Sequence, residues 1–206
     1  MKTRAAVRAF FALPRALWEE ARITAGAFAV LIAVGFTVAT MRPESLDPLL
    51  RVLTDATAEA GVYAVDGTVL MTTILANNLL VLLAAIAVGL VPLLHLSALS
   101  LGINALFYGG LAAFYYSRED LGLAAFLAGT LPHGLIELSA LVLSCAAGLY
   151  LCRATTYAVL GHVDARMVGR TLGECLRVYT HWVVPLLILS AFLEAFVTPL
   201  IFGEFL

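Results

Sequence analysis

Long apolar runs separated by short polar segments make up most of this chain. The runs cover residues 23–41, 70–94, 98–116, 135–152 and 182–202. Each is close to the ~20 residues that a helix needs to cross ~30 Å of hydrocarbon. Because a helix satisfies its own backbone hydrogen bonds in lipid, the pattern predicts an all-α polytopic bundle. We expect five membrane spans in one transmembrane domain that covers residues 23–206.

A sixth apolar run, residues 121–131, is too short to be a span. It has eleven residues before Pro132, which extend about 16 Å at 1.5 Å per residue. Proline lacks a backbone donor, and Gly134 gives the backbone freedom two residues later. We therefore expect a re-entrant or discontinuous half-helix over residues 121–131, with a helix break at Pro132 and Gly134.

Composition favours a membrane protein and argues against several other classes. Of the 206 residues, 62% are hydrophobic and 13% are charged, and the mean hydropathy is +0.99. A soluble domain of this size cannot bury so much apolar surface. The net charge of -2 gives no sign of nucleic-acid binding. Because the sequence lacks the motifs of serine hydrolases, HExxH metalloproteases and P-loop proteins, we expect a protein that is not an enzyme.

The basic residues predict how the chain crosses the membrane. Of the twelve lysines and arginines, five lie within residues 1–22 and four within residues 153–181. This bias predicts a cytoplasmic N-terminus and an external C-terminus in the cytoplasmic (inner) membrane. Both basic segments are amphipathic, which is typical of helices that lie on membrane lipids. The external segment, residues 42–69, is acidic and is expected to contain a short helix from Asp47-Pro48 to near Gly61.

Ionisable residues within the predicted spans are the candidates for function. His133 and Glu137 lie four residues apart and share one helix face, and Glu194 lies in the last span. A charge at the bilayer centre costs about 2.5–3.5 kcal/mol on insertion scales, so such groups normally face the protein interior. We therefore expect one intramembrane polar core made of Asn77, Asn78, Asn104, His133, Glu137 and Glu194.

The face of the helix that carries His133 and Glu137 continues as a ridge of small residues, which is typical of close packing between membrane helices. The ridge contains Ala140, Ser144, Ala147 and Gly148. Three interpretations of the polar core remain open at this point. It is a structural hydrogen-bonded cluster, a proton or ion pathway, or a site for a divalent metal such as zinc with His133, Glu137 and Glu194 as candidate ligands. Zinc needs three or four ligands, and the sequence does not establish the full set.

Several motifs resemble those of the stage II sporulation protein M (SpoIIM) family, in the same order and from about Leu70 to the C-terminus. They are Asn77-Asn78, the region of Gly102, Leu131-Pro132-His133-Gly134-Leu135-Ile136-Glu137-Leu138, Ala146-Ala147-Gly148-Leu149, and Ala191-Phe192-Leu193-Glu194-Ala195-Phe196-Val197-Thr198-Pro199.

The resemblance implies a particular kind of function. In sporulating bacteria, members of this family are integral membrane proteins that hold a peptidoglycan-cleaving machine at the septum during engulfment, and relatives also occur in organisms that do not sporulate. The resemblance implies a non-enzymatic scaffold or anchor for envelope partners. We expect the protein itself to form a homo-oligomer. The alternatives are a proton- or ion-coupled transporter or channel that uses the polar core, and an intramembrane metal-binding protein.

Overall fold

The computed structural model describes residues 14–45, 51, 71–118 and 122–203, and the regular elements within them are all helical. The α-helices are α1 (Arg15–Met41), α2 (Met71–Ala87), α3 (Leu96–Tyr116), α4 (Gly122–Val159), α5 (Ala165–Val178), α6 (Val184–Phe192) and α7 (Thr198–Phe202). Short 3-10 turns follow α1 at Pro43–Ser45 and α2 at Val88–Leu90. Two π-helical turns, Tyr179–Val183 and Leu193–Val197, join α5, α6 and α7 into one continuous helical rod.

Five helical stretches in the described part of the chain are long and apolar enough to cross a membrane. They are Arg15–Met41, Met71–Leu90, Leu96–Tyr116, Gly122–Val159 and Ala165–Ile201. The predicted all-α fold with five spans is therefore confirmed, and the protein is a membrane protein.

The predicted helix break is wrong. Helix α4 has 38 residues and runs without interruption through Pro132 and Gly134, so residues 121–131 do not form a separate half-helix. An internal proline removes one backbone hydrogen bond, but in a membrane protein neighbouring helices can satisfy the freed group. At 1.5 Å per residue the helix is about 57 Å long, so it is tilted or extends beyond the ~30 Å hydrocarbon layer.

Other boundaries also differ from the predicted ones. Helix α1 begins at Arg15 rather than at residue 23, so residues 15–22 are part of the first span. Within residues 153–181, the first residues extend α4, and α5 starts after a turn in which the Asp164 carboxylate accepts a hydrogen bond of 2.7 Å from the Arg166 amide. Residues 1–13, and all of the short helix expected between residues 47 and 61 except Arg51, lie outside the described residues.

Helix α4 is the centre of the bundle, since it packs against α1, α2, α3, α5, α6 and α7. The predicted small-residue ridge is confirmed as its packing face: Ala140, Ser144 and Ala147 are each 0% exposed, and Gly148 is buried. A Cβ atom added at Gly148 would overlap the Ala85 carbonyl of α2. The polar residues of α4 are therefore placed against several neighbouring helices at once.

Polar contacts tie three helix ends together at one end of the bundle. The Arg153 guanidinium near the end of α4 forms a 2.6 Å ion pair with Glu20 near the start of α1. The Tyr150 hydroxyl of α4 donates to the Glu174 carboxylate of α5 at 3.2 Å. The start of α1, the end of α4 and helix α5 therefore lie on the same side of the bundle.

Candidate functional site

Three ionisable side chains from different parts of the chain meet inside the bundle. His133 and Glu137 lie on α4, and Glu194 lies on the π-helical turn between α6 and α7. One ring nitrogen of His133 and one carboxylate oxygen of each glutamate lie within 4.8 Å of one another, and all three residues are partly buried. The structure thus brings together the three residues that the sequence singled out as candidate metal ligands, here called the triad.

The spacing of residues on each helix explains this meeting. His133 and Glu137 are one helical turn apart, so their side chains project from the same face of α4. On the facing helical rod, the π-helical turn Leu193–Val197 widens the helix locally. The wider turn changes the direction in which the Glu194 side chain projects. Such π-helical turns are often found at functional sites.

Proline explains why the widened turns occur where they do. Each of the two turns ends two residues before a proline, Pro185 after Val183 and Pro199 after Val197. A proline cannot donate to the carbonyl four residues before it, and its ring crowds that carbonyl. The regular α-helical hydrogen-bonding pattern is therefore interrupted at both places. This Pro-dependent pattern is the sequence signal that could have located the turn carrying Glu194.

The rod that carries Glu194 contacts His133 on both sides of that glutamate. The Ser190 hydroxyl donates to the His133 carbonyl at 3.3 Å. The Thr198 hydroxyl lies 2.9 Å from His133 Nδ1, within hydrogen-bond distance. A proton on Nδ1 would be donated to Thr198 and leave Nε2 with a free lone pair. These contacts fix the orientation of the histidine ring.

Two further residues from α2 and α3 surround the carboxylates. Asn78 Nδ2 donates to Glu137 Oε1 at 3.3 Å. Tyr108 of α3 lies close enough to Glu137 and Glu194 to interact electrostatically with both carboxyl groups. Sequence reasoning missed Tyr108, because a tyrosine in an apolar span gives no signal that separates it from a core aromatic residue.

The other two asparagines predicted for the polar core, Asn77 and Asn104, form no side-chain hydrogen bond with the triad among the described residues. Asn77 is exposed on the outer surface of α2, because consecutive helical residues point about 100° apart and its neighbour Asn78 faces Glu137. The Asn104 side chain donates to the Ser100 carbonyl of its own helix at 2.9 Å. One donor of the Asn104 amide is therefore satisfied within its own helix.

Charge balance is the unusual property of this site. The ion pairs that the described residues show, Arg15–Glu19 and Arg153–Glu20, do not involve either triad carboxylate. Two ionised carboxylates within 4.8 Å of one another repel by at least about 3 kcal/mol at an effective dielectric constant of about 20. A proton or a cation must therefore balance the triad.

Comparison with known proteins gives one match. The sequence model of the family described as stage II sporulation protein M (SpoIIM) matches residues 24–199. No curated protein and no protein of solved structure gives a significant match. The matched range contains all of the triad as well as Asn78 and Thr198.

Proposed function

Because this chain belongs to the stage II sporulation protein M family, we propose that it is a non-enzymatic membrane scaffold that anchors envelope-remodelling, peptidoglycan-associated partners. The observation that carries the proposal is an apolar groove that the described residues leave open between α1 and α4. The proposed occupant is a transmembrane helix of such a partner.

The groove has a volume of about 500 Å³. Trp18 and Arg22 lie on the α1 side, and Leu135 and Ser139 lie on the α4 side. The other residues that line the groove are mostly aliphatic. A helix with an apolar face fits this lining, and Arg22 can pair with an acidic residue at the membrane boundary of the partner.

A row of small exposed residues on α1 supports a helix rather than lipid as the occupant. Ala25, Ala29 and Ala33 recur every four residues and are all exposed. A Cβ atom added at the neighbouring Gly26 would meet no atom within 4 Å. Small residues at this spacing allow two membrane helices to approach closely.

The opposite face of α1 already uses this kind of packing. There, Gly35 lies against Leu106 of α3, and a Cβ atom added at Gly35 would come within 2.7 Å of the Leu106 carbonyl oxygen. Helix α1 therefore has one small-residue face that is occupied within the chain and a second that faces outward.

The proposed location is the cytoplasmic membrane, with the N-terminus cytoplasmic and the C-terminus external. The arginine bias supports this orientation. The odd number of candidate spans in the described part of the chain, five, also supports termini on opposite sides.

Site-specific photocrosslinking in cells of the native host tests the proposal. A photoreactive residue at Ala25, in the groove, should form adducts with a membrane-anchored peptidoglycan-remodelling protein. The same residue at Ile188, which is exposed on α6, is the control and should not form them. Filling the groove by Ala29→Trp should abolish the adduct without lowering the amount of the protein in the membrane.

Three results would overturn the proposal: adducts with lipid alone, identical adducts from both positions, or adducts with a second copy of this chain alone. The last result would assign the groove to a homo-oligomer. Passage of protons or ions through the purified protein in liposomes would instead favour a transporter.

A further inference from the structure

We propose that His133, Glu137 and Glu194 bind one divalent transition-metal ion, with zinc as the reference ion, between α4 and the α6–α7 rod. This inference does not depend on the scaffold function. It rests on the geometry of the triad, on its charge, and on the residues that hold it in place.

The separation of the ligand atoms is close to what a metal requires. Ligands bound to one zinc at about 2.0–2.2 Å in a tetrahedron lie roughly 3.5 Å apart. The triad atoms lie within 4.8 Å of one another. Glutamate has three rotatable side-chain bonds, through which the two carboxylates can approach a bound ion. Three protein ligands also leave a fourth position for water.

The charge of the site selects a divalent ion. Two ionised carboxylates and a neutral imidazole carry a total charge of −2, which one divalent cation cancels completely. A buried site of zero net charge avoids the large cost of placing an unbalanced charge in the bilayer. Arg15 and Arg153 form their ion pairs with Glu19 and Glu20 rather than with the triad.

The chemistry of the ligands narrows the kind of ion. Magnesium and calcium prefer sites made entirely of oxygen, whereas an imidazole nitrogen suits zinc and its first-row neighbours. A site of one histidine and two glutamates therefore favours zinc, and cobalt can replace zinc as a spectroscopic probe.

Outer residues hold the ligands in the way that is typical of metal centres. Thr198 lies at hydrogen-bond distance from His133 Nδ1, and Asn78 donates to Glu137 Oε1. In known metal sites, such partners orient the ligands and set the tautomer of the histidine.

Metal analysis of the purified full-length protein tests the proposal, with an affinity tag that contains no histidine. After incubation with zinc and gel filtration in metal-free detergent buffer, elemental analysis should find one zinc per chain. The variants His133→Gln, Glu137→Gln and Glu194→Gln should each weaken zinc binding at least about tenfold. The matched control is Glu174→Gln, since Glu174 is a partly buried glutamate that hydrogen-bonds Tyr150 on the far side of the bundle. Its zinc affinity should be unchanged.

Two controls distinguish zinc binding at the triad from binding at cysteines and from loss of binding through misfolding. The three cysteines of the chain are buried, and cobalt bound to them would give strong thiolate charge-transfer absorption, which the proposed site should not show. Glu194 accepts no hydrogen bond from the described residues, so Glu194→Gln should fold even if Glu137→Gln does not. Wild-type protein with little or no zinc, a thiolate spectrum, or equal zinc binding by wild type and a folded triad variant would each overturn the proposal.

Discussion

Asn78 on α2 donates a hydrogen bond to Glu137 on α4, with 3.3 Å between Asn78 Nδ2 and Glu137 Oε1. This bond links two spans that are far apart in sequence, and it gives Glu137 a partner that does not depend on its charge. The carbonyl oxygen of a glutamine can accept the same bond, whereas an alanine cannot.

This contact predicts different stabilities for two variants in metal-free buffer that contains a chelator. Glu137→Gln should have a thermal unfolding temperature close to that of wild type. Glu137→Ala should unfold at a lower temperature, because it leaves the Asn78 amide without its acceptor and removes packed side-chain volume. Leaving a buried polar group without a partner costs about 1–3 kcal/mol of stability. The hydrogen bond itself contributes less, since interhelical hydrogen bonds in membranes average about 0.6 kcal/mol.

A double-mutant cycle with Asn78→Ala separates the bond from the lost volume. We expect a coupling free energy of about 0.6 kcal/mol between the two positions, measured by unfolding in detergent. A glutamine variant as unstable as the alanine variant would contradict the structural role of this bond.

Two glycines of α3 predict opposite effects of the same substitution. A Cβ atom added at Gly109 would overlap the Ile32 carbonyl and crowd Phe36 of α1, whereas one added at Gly102 would meet no atom within 4 Å. Gly109→Ala should therefore lower stability by about 1–3 kcal/mol through overpacking. Gly102→Ala should be neutral or stabilise α3 by up to about 1 kcal/mol through helix propensity. Thermal unfolding in detergent measures both changes, and equal effects would contradict the close crossing of α1 and α3.

The sequence was sufficient to predict the spans and the triad for a simple physical reason. Polar groups are costly in lipid, so the side chains of His133, Glu137 and Glu194 are expected to face the protein interior and to contact one another. Their helical spacing also fixed which face of α4 would be buried. Both inferences need only the local pattern and the energy of transfer into hydrocarbon.

The errors concern features that depend on neighbours. Whether Pro132 breaks a helix depends on what satisfies the freed carbonyl, and the sequence does not show those groups. The sequence also did not show that the Asn104 side chain donates to the Ser100 carbonyl of its own helix. The position of Tyr108 beside the carboxylates depends on how α3 crosses α4, which local periodicity does not determine.

The arginine bias and the five spans predict a specific topology. A reporter fused after Leu206 should lie on the external side, and a reporter inserted near Asp164, in the turn between α4 and α5, should lie in the cytoplasm. The Arg153–Glu20 ion pair of 2.6 Å places the start of α1 on the side of that turn, so a tag before α1 should also be cytoplasmic. Paired alkaline phosphatase and fluorescent protein fusions measure each side. Activity of both reporters on one side would contradict an odd number of spans.

Thr198 gives a test of the metal site that leaves all three ligands in place. Its hydroxyl lies 2.9 Å from His133 Nδ1, whereas the isosteric variant Thr198→Val keeps the volume but removes the hydrogen-bonding group. Without this partner the imidazole loses a preference for presenting Nε2 to the metal, and zinc affinity should fall roughly 10- to 100-fold. Thr198→Ser keeps the hydroxyl and should retain most of the affinity, which separates hydrogen bonding from packing. Competition with a zinc-binding dye measures the three affinities, and gel filtration checks that each variant remains folded. Equal zinc affinity in the valine and serine variants would show that Thr198 does not orient His133 for metal binding.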